Sequence, residues 1–195
     1  SQTLLVNDIS LECGISFDTA RLLLYRNIDT VEKAKRFLSP SKRGFHNPSS
    51  LSGIQKAVER LITAKKKGEN ILIFGDYDAD GVCATTILYY SLKDFGINSL
   101  MVYVPEREEG YGLNVATIEK IKQDFAIDLL ITVDCGISDF DKINQIKQMG
   151  IDVIVTDHHE PPEILPDCIK INPKLSGQEY QFNGHCGAGV AYKLS

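Results

Sequence analysis

The 195-residue sequence lacks several features that would sort it quickly into a class. No apolar run approaches the ~20 residues of a membrane-spanning helix. The first residues show no secretory pattern of charge followed by an apolar stretch. Five cysteines are scattered at Cys13, Cys83, Cys135, Cys168 and Cys186, with no Cys-x-x-Cys pair among them. An odd, dispersed set argues against a disulfide framework and structural zinc, and predicts reduced thiols in a cytoplasm. No Gly-x-Gly-x-x-Gly follows the first strand-like run, as a dinucleotide-binding turn would require. There is no internal repeat and no low-complexity tract. Positive charge is short as well, with a net charge of −5, which offers no general attraction to phosphates. Local basic clusters at Lys33, Lys35 and Arg36, at Lys42 and Arg43, and at Lys65 to Lys67 read as solvated helix faces. Carboxylates gathered around divalent cations would make the charge sum misleading, so composition neither supports nor excludes a nucleic-acid partner.

What remains is an ordinary globular composition, 43% hydrophobic and 24% charged, long enough for one substantial domain and a small appendage. Residues 1–50 read as a helical lead-in. Ser16 caps a helix carrying Ala20, Leu22, Leu23 and Leu24; Thr30 caps another carrying Val31, Ala34, Phe37 and Leu38. From residue 51 to 195 the pattern alternates. A helix from about Gly53 to Lys67 leads to an apolar strand at Ile71. A helix from Val82 to Phe95 and a strand from Leu100 to Val104 follow. Asn114 caps a helix reaching about Phe125, and a strand runs from Leu129 to Val133. A helix capped by Ser138 ends at Gly150, and short strands follow at Val153–Thr156 and Ile169–Ile171. Repeated β-α-β units predict an α/β, Rossmann-like domain: a parallel sheet of about five strands with helices on both faces. The sequence starts at Ser1 and stops at Ser195, just inside what reads as a new helix after Gly187-Ala-Gly189. The expectation is a truncated domain from a longer chain.

Three of these strands run into metal-ligating side chains. The first ends in Asp76, Asp78 and Asp80, the third in Asp134, and the fourth in Asp157, His158 and His159. Ligands of open parallel sheets bind beyond the carboxyl ends of the strands, and carboxylates converging there need a cation. An EF-hand loop counted from Asp76 would need Glu at its twelfth position, where Ile87 stands. Oxygen and imidazole donors together suit Mn2+ or Mg2+. Asp134, central in order, is placed to bridge two ions that clamp a phosphoryl group. Three consecutive side chains cannot all enter one coordination shell. One histidine is therefore read as a ligand and the other as a phosphate contact or acid, with Asp157 orienting an imidazole from behind.

Gly75-Asp-Tyr-Asp-Ala-Asp-Gly81, Val133-Asp-Cys-Gly136 and Asp157-His-His159 resemble, in order and spacing, the first, third and fourth motifs of the DHH phosphoesterase superfamily. Within it the chain is similar to the RecJ type of single-strand-specific 5′→3′ exonuclease. Pro105-Glu-Arg-Glu-Glu-Gly-Tyr-Gly-Leu113, Asn172-Pro-Lys174 and Cys186-Gly-Ala-Gly-Val-Ala-Tyr-Lys-Leu194 match that branch too. The resemblance implies single-stranded DNA as substrate and a role in recombination and repair. It implies two ions held by Asp78, Asp80, Asp134 and His158, with Asp134 bridging and catalytic and His159 facing the scissile phosphate. Asp76 and Asp157 would support the ligands. Arg107 could hold a substrate phosphate, as could the N–H groups of Gly187 and Gly189, which close helix packing explains nearly as well. Tyr111 could stack on a base, but Gly-Tyr-Gly reads more readily as a turn whose tyrosine packs on the protein. The family's downstream Asp ligand and its second domain have no counterpart here, so low activity is expected of this stretch alone.

Two rival readings stand beside this one. Enzymes of the superfamily acting on short oligonucleotides, cyclic dinucleotides or pyrophosphate place a histidine four residues before the second motif Asp, where this chain has Phe74. A non-catalytic nucleic-acid-binding scaffold on the same fold would have lost ligands, and those in view are intact.

Overall fold

The computed structural model describes residues 2–41, 44–180 and 182–195, so the basic pair Lys42 and Arg43 lies outside the described residues. The chain forms two compact units, Ser1–Phe45 and His46–Ser195. The first holds helices α1 (Gln2–Cys13), α2 (Phe17–Leu24) and α3 (Val31–Leu38). Ser16 and Thr30 cap α2 and α3, accepting the N–H groups of Thr19 and Lys33. Val6, Ile9, Ala20, Leu23 and Ala34 close its core. Lys33 and Lys35 pair with Asp29 and Glu12 on an exposed surface, so this basic cluster is a solvated face as read.

In the second unit, α4 (Ile54–Lys67) delivers the chain to β1 (Ile71–Gly75). The elements α5 (Ala79–Asp94), β2 (Leu100–Tyr103), α6 (Val115–Asp124), β3 (Leu129–Val133), α7 (Phe140–Gln148), β4 (Asp152–Thr156), β5 (Ile169–Ile171) and α8 (Gly187–Leu194) follow. The five strands form one parallel sheet in the order β2-β1-β3-β4-β5. Strand alternation sorts the core into two layers. Ile71, Ile73, Leu129 and Ile131 pack with Leu61 of α4, Leu88 of α5 and Val190 of α8. Leu72, Phe74, Leu130 and Val155 pack with Ile118 of α6 and with Ile143 and Ile146 of α7. Burial on both faces explains why these strands read as unbroken apolar runs. Among the described residues, no helix is long and apolar enough to cross a membrane.

Three expectations need correction. Helix α5 starts at Ala79 rather than Val82, because Asp78 caps it by accepting the Gly81 N–H at 2.9 Å. Helix α7 follows Asp139 rather than a Ser138 cap, and the Asp139 carboxylate accepts the Leu113 N–H at 2.9 Å. Helix α1 has no counterpart in the sequence reading. In the loop before α4, His46 stacks on Phe182, meets the edge of Tyr180 and accepts the Lys193 ammonium at its carbonyl.

Candidate functional site

The register of the sheet builds the site. Gly75 pairs with Val133, Val133 with Thr156 and Thr156 with Ile171. The next residue on each of these strands is therefore level with the others: Asp76, Asp134, Asp157 and Asn172. This row is almost wholly buried, at 5%, 1%, 0% and 0% exposure. The ladder continues one rung past the strands, since Asp134 N–H reaches the Thr156 carbonyl and Asp157 N–H the Ile171 carbonyl.

The row does two different jobs. Asp157 is saturated: Oδ2 accepts from Ile137 N, and Oδ1 accepts from the backbone of His158 and His159 and lies 2.8 Å from His159 Nδ1. Asn172 donates to the His159 carbonyl at 2.9 Å and accepts from Lys174 N. Together they fix the turn that carries the histidines. Asp134 is the opposite case. Its backbone lies in the left-handed region at φ 63°, a strained conformation of the kind that clusters at functional sites. Its Oδ1 is buried without a hydrogen-bond partner. His158 Nε2 lies 3.1 Å from that oxygen, out of hydrogen-bonding alignment.

Around Asp134 the potential ligands fall into two groups whose donor atoms lie within 4.8 Å of one another. One is Asp76, Asp78 and Asp134, the other Asp134, His158 and His159. Burial first, then the charges of Asp80, Asp78, Asp157 and Asp76, push the Asp134 carboxyl up to about 8. Burial, with Asp78 nearby, raises Asp76 too. A buried acid with an unpartnered oxygen, crowded by other carboxylates, is the environment a divalent cation relieves. The oxygen and imidazole donors fit such an ion.

Asp80 takes another path. Because α5 has already begun, its carboxylate leaves the strand-end alternation and meets the start of α8, accepting Gly187 N and Ala188 N at 2.7 Å each. Burial would raise this carboxyl, but those two N–H groups, the Cys186 thiol and His158 together hold it below its ordinary value. Asp80 lies outside both ligand groups, with Oδ2 3.6 Å from His158 Nε2. The Gly187 N–H, expected to face a phosphate, is thus given to Asp80. Gly187 also serves by lacking a side chain, since a Cβ there would collide with the Asp134 carboxylate.

The profile of the DHH family, N-terminal domain, matches residues 70–195. The chain belongs to the DHH family. It is 40% identical to the single-stranded-DNA-specific exonuclease RecJ of Bacillus subtilis (strain 168) over 192 residues, 97% of this chain and 24% of that protein. The chain thus spans about a quarter of this relative's length. A crystal structure of exonuclease RecJ bound to manganese matches with a TM-score of 0.67 and 36% identity, covering 74% of this chain and 36% of that one. RecJ of Thermus thermophilus in complex with Mn2+ matches at TM-score 0.75 and 27% identity, over 98% of this chain and 26% of that one.

In this DHH domain the expected residues gather unevenly. Asp78, Asp134, His158 and His159 lie in the ligand groups, and so does Asp76, expected to stand behind them. Arg107 is exposed on a short turn, its guanidinium 5.5 Å from the centre of the Tyr77 ring beside the Asp76–Asp78 segment. Gly189 packs at the foot of His185, where a Cβ would lie 3.1 Å from Nδ1. His185 shares a hydrogen bond with Tyr180. The sequence reading missed what Asn172 and Tyr111 contact. For Asn172 the signals were an Asn-Pro step ending a strand and the resemblance carried by Asn172-Pro-Lys174, neither of which names its contacts.

Proposed function

We propose that this DHH domain belongs to a cytoplasmic, metal-dependent nuclease that hydrolyses single-stranded DNA from its 5′ end, in recombination and repair. The observation that carries the reading is the pair of ligand groups sharing Asp134, in a chain similar to RecJ exonucleases that bind manganese. Two divalent ions, Mn2+ or Mg2+, would be held by Asp76 and Asp78 on one side and His158 on the other, with Asp134 common to both. Such cations supply Lewis acidity at a phosphoryl oxygen and a water acidic enough to attack it.

The chain's own groups would then orient and move protons. We assign Asp80 to support rather than ligation, because it lies outside both ligand groups and its carboxylate is turned to the start of α8. His159 turns Nδ1 to Asp157, leaving Nε2 to meet the scissile phosphate and hold or pass a proton there. Arg107 would bind a phosphate of the strand as a charge-assisted partner. Phe74 speaks against the branch acting on dinucleotides or pyrophosphate: it is buried against Tyr103 and cannot ligate.

Single strands labelled at either end, incubated with Mn2+, test this. The assay compares this chain with one extended to the length of its relatives. The extended chain should release nucleotides successively from the 5′ end and spare duplex. The 195-residue chain, with a net charge of −5 and about a quarter of its relative's length, should cut little. Release from the 3′ end, or turnover confined to dinucleotides or pyrophosphate, would place the site in another branch. Metal binding with no hydrolysis by the extended chain would favour a scaffold.

A further inference from the structure

The loop from Arg107 to Leu113 lays Tyr111 against the histidine turn, and its contacts there differ from those of a free base platform. Tyr111 Oη is 3.1 Å from His159 Nδ1 and 3.5 Å from the Asp134 carbonyl. The two rings meet edge-on, with centroids 5.6 Å apart and planes at 74°. On its other side the His159 imidazole lies 4.5 Å from the His158 ring. The loop is pinned at both ends. Glu109 accepts from the Glu106 N–H and from the Tyr103 hydroxyl. Leu113 is buried at 2% exposure with its N–H on Asp139. Gly112, at φ 87°, runs so close to that carboxylate that a Cβ would sit 2.9 Å from Oδ2.

The donors and acceptors fit in one arrangement. Asp157 Oδ1 already accepts two backbone N–H groups, so His159 Nδ1 carries the proton between them. That N–H is then shared between Asp157 Oδ1 and Tyr111 Oη, while the Tyr111 hydroxyl donates to the Asp134 carbonyl. The other ring nitrogen, Nε2, is left with its lone pair towards the site.

We propose that Tyr111 is a positioning residue: through its hydroxyl it ties the His159 imidazole to the strained Asp134 backbone and so aims Nε2 at the reacting phosphate. This rests on the reading of the site as a phosphodiesterase centre, but one arm of its test does not. The competing role for an exposed tyrosine here is to stack on a DNA base. Tyr111→Phe separates the two, because it keeps the ring and removes only the link.

In the extended chain with Mn2+, Tyr111→Phe should lower kcat by about 10–100-fold, the scale of a misaligned reacting group. KM, affinity for single strands and Mn2+ stoichiometry should be unchanged. Tyr111→Ala should be at least as slow. If Tyr111→Phe turns over like the parent while Tyr111→Ala raises KM, the residue is a base platform and the proposal is wrong. The second arm uses this 195-residue chain with Mg2+ and long-range proton–nitrogen spectra of His159. The parent should show one Nδ1-protonated tautomer with narrow lines, and Tyr111→Phe should show averaging or broadening of the same signals. Identical spectra would overturn the proposal even if no nuclease activity were found. Altered spectra without hydrolysis by the extended parent would uphold the link and refute only the assigned reaction.

Discussion

Replacing Asp134 by Asn should make the metal-free protein more stable while depriving it of metal. Asp134 is 1% exposed, and its carboxyl is pushed up to about 8, against an ordinary value of 3.8 in an unfolded chain. Between those values the folded state holds a proton that the unfolded state has released. This group's contribution therefore favours folding below about pH 4 and is lost progressively as pH rises to about 8. At about 1.4 kcal/mol per unit, the ceiling of that loss is about 6 kcal/mol. Water at the site mouth and rearrangement of Asp76, Asp78 and Asp80 reduce it, and about 1–3 kcal/mol should survive at pH 8. Asparagine carries no charge at any of these pH values and tolerates the left-handed backbone at φ 63°. Urea unfolding followed by circular dichroism, from pH 5 to 8.5, provides the assay. In EDTA the variant should exceed the parent by about 1–3 kcal/mol at pH 8 and converge with it towards acid pH. With Mn2+ the order should reverse, because only the parent gains binding energy. A variant less stable than the parent in EDTA at pH 8, or one that gains as much from Mn2+, would refute the reasoning.

His158→Ala should weaken Mn2+ binding, whereas His159→Ala should keep metal and slow turnover by roughly 10²–10⁴-fold; calorimetry beside single-turnover rates on the extended chain checks both. Asp80→Asn should lose about 1–2 kcal/mol of unfolding free energy by weakening the hold on α8. It should change Mn2+ affinity less than Asp78→Asn, which keeps its own helix cap but loses a ligand charge. Gly187→Ala should empty the metal site with far-ultraviolet circular dichroism retained, since its methyl group meets the Asp134 carboxylate. Unchanged Mn2+ stoichiometry by calorimetry would contradict that crowding.

The sheet was legible because a strand covered on both faces is apolar throughout. Leu129–Val133, apolar but for Thr132, illustrates it: all five residues are buried and the expected and observed limits agree. Helix α1 was not legible, for the reverse reason. Leu4 and Leu11 face solvent while Val6 and Ile9 turn inward, which blurs the 3.6-residue period. Asp134 and Asp157 could be found because each directly follows a strand, where fold geometry fixes position, and His158 and His159 come next in the same turn. The division of labour among Asp76, Asp78 and Asp80 could not. It depends on α5 beginning at Ala79, and the acidic run that places the cap also hides the helix start. Tyr111 lies furthest from sequence logic, since its partners come from β3 and β4 and no spacing announces them.

The clasp of Asp80 on the start of α8 has a consequence for how the protein is made. Its partners, Gly187 and Ala188, lie 107 and 108 residues further along the chain. At roughly 5–20 residues per second of synthesis, a nascent chain carries its first acidic cluster for about 5–20 s before the residues that wall Asp134 exist. During that interval Asp78 can already cap α5, but Asp80 has none of the N–H groups of Gly187 and Ala188 to hold it. The wall of the site around Asp134 and Asp80 is therefore complete only when the start of α8 has been made, so the local fold of the first strand and its acidic cluster precedes the shape of the site by a long stretch of chain.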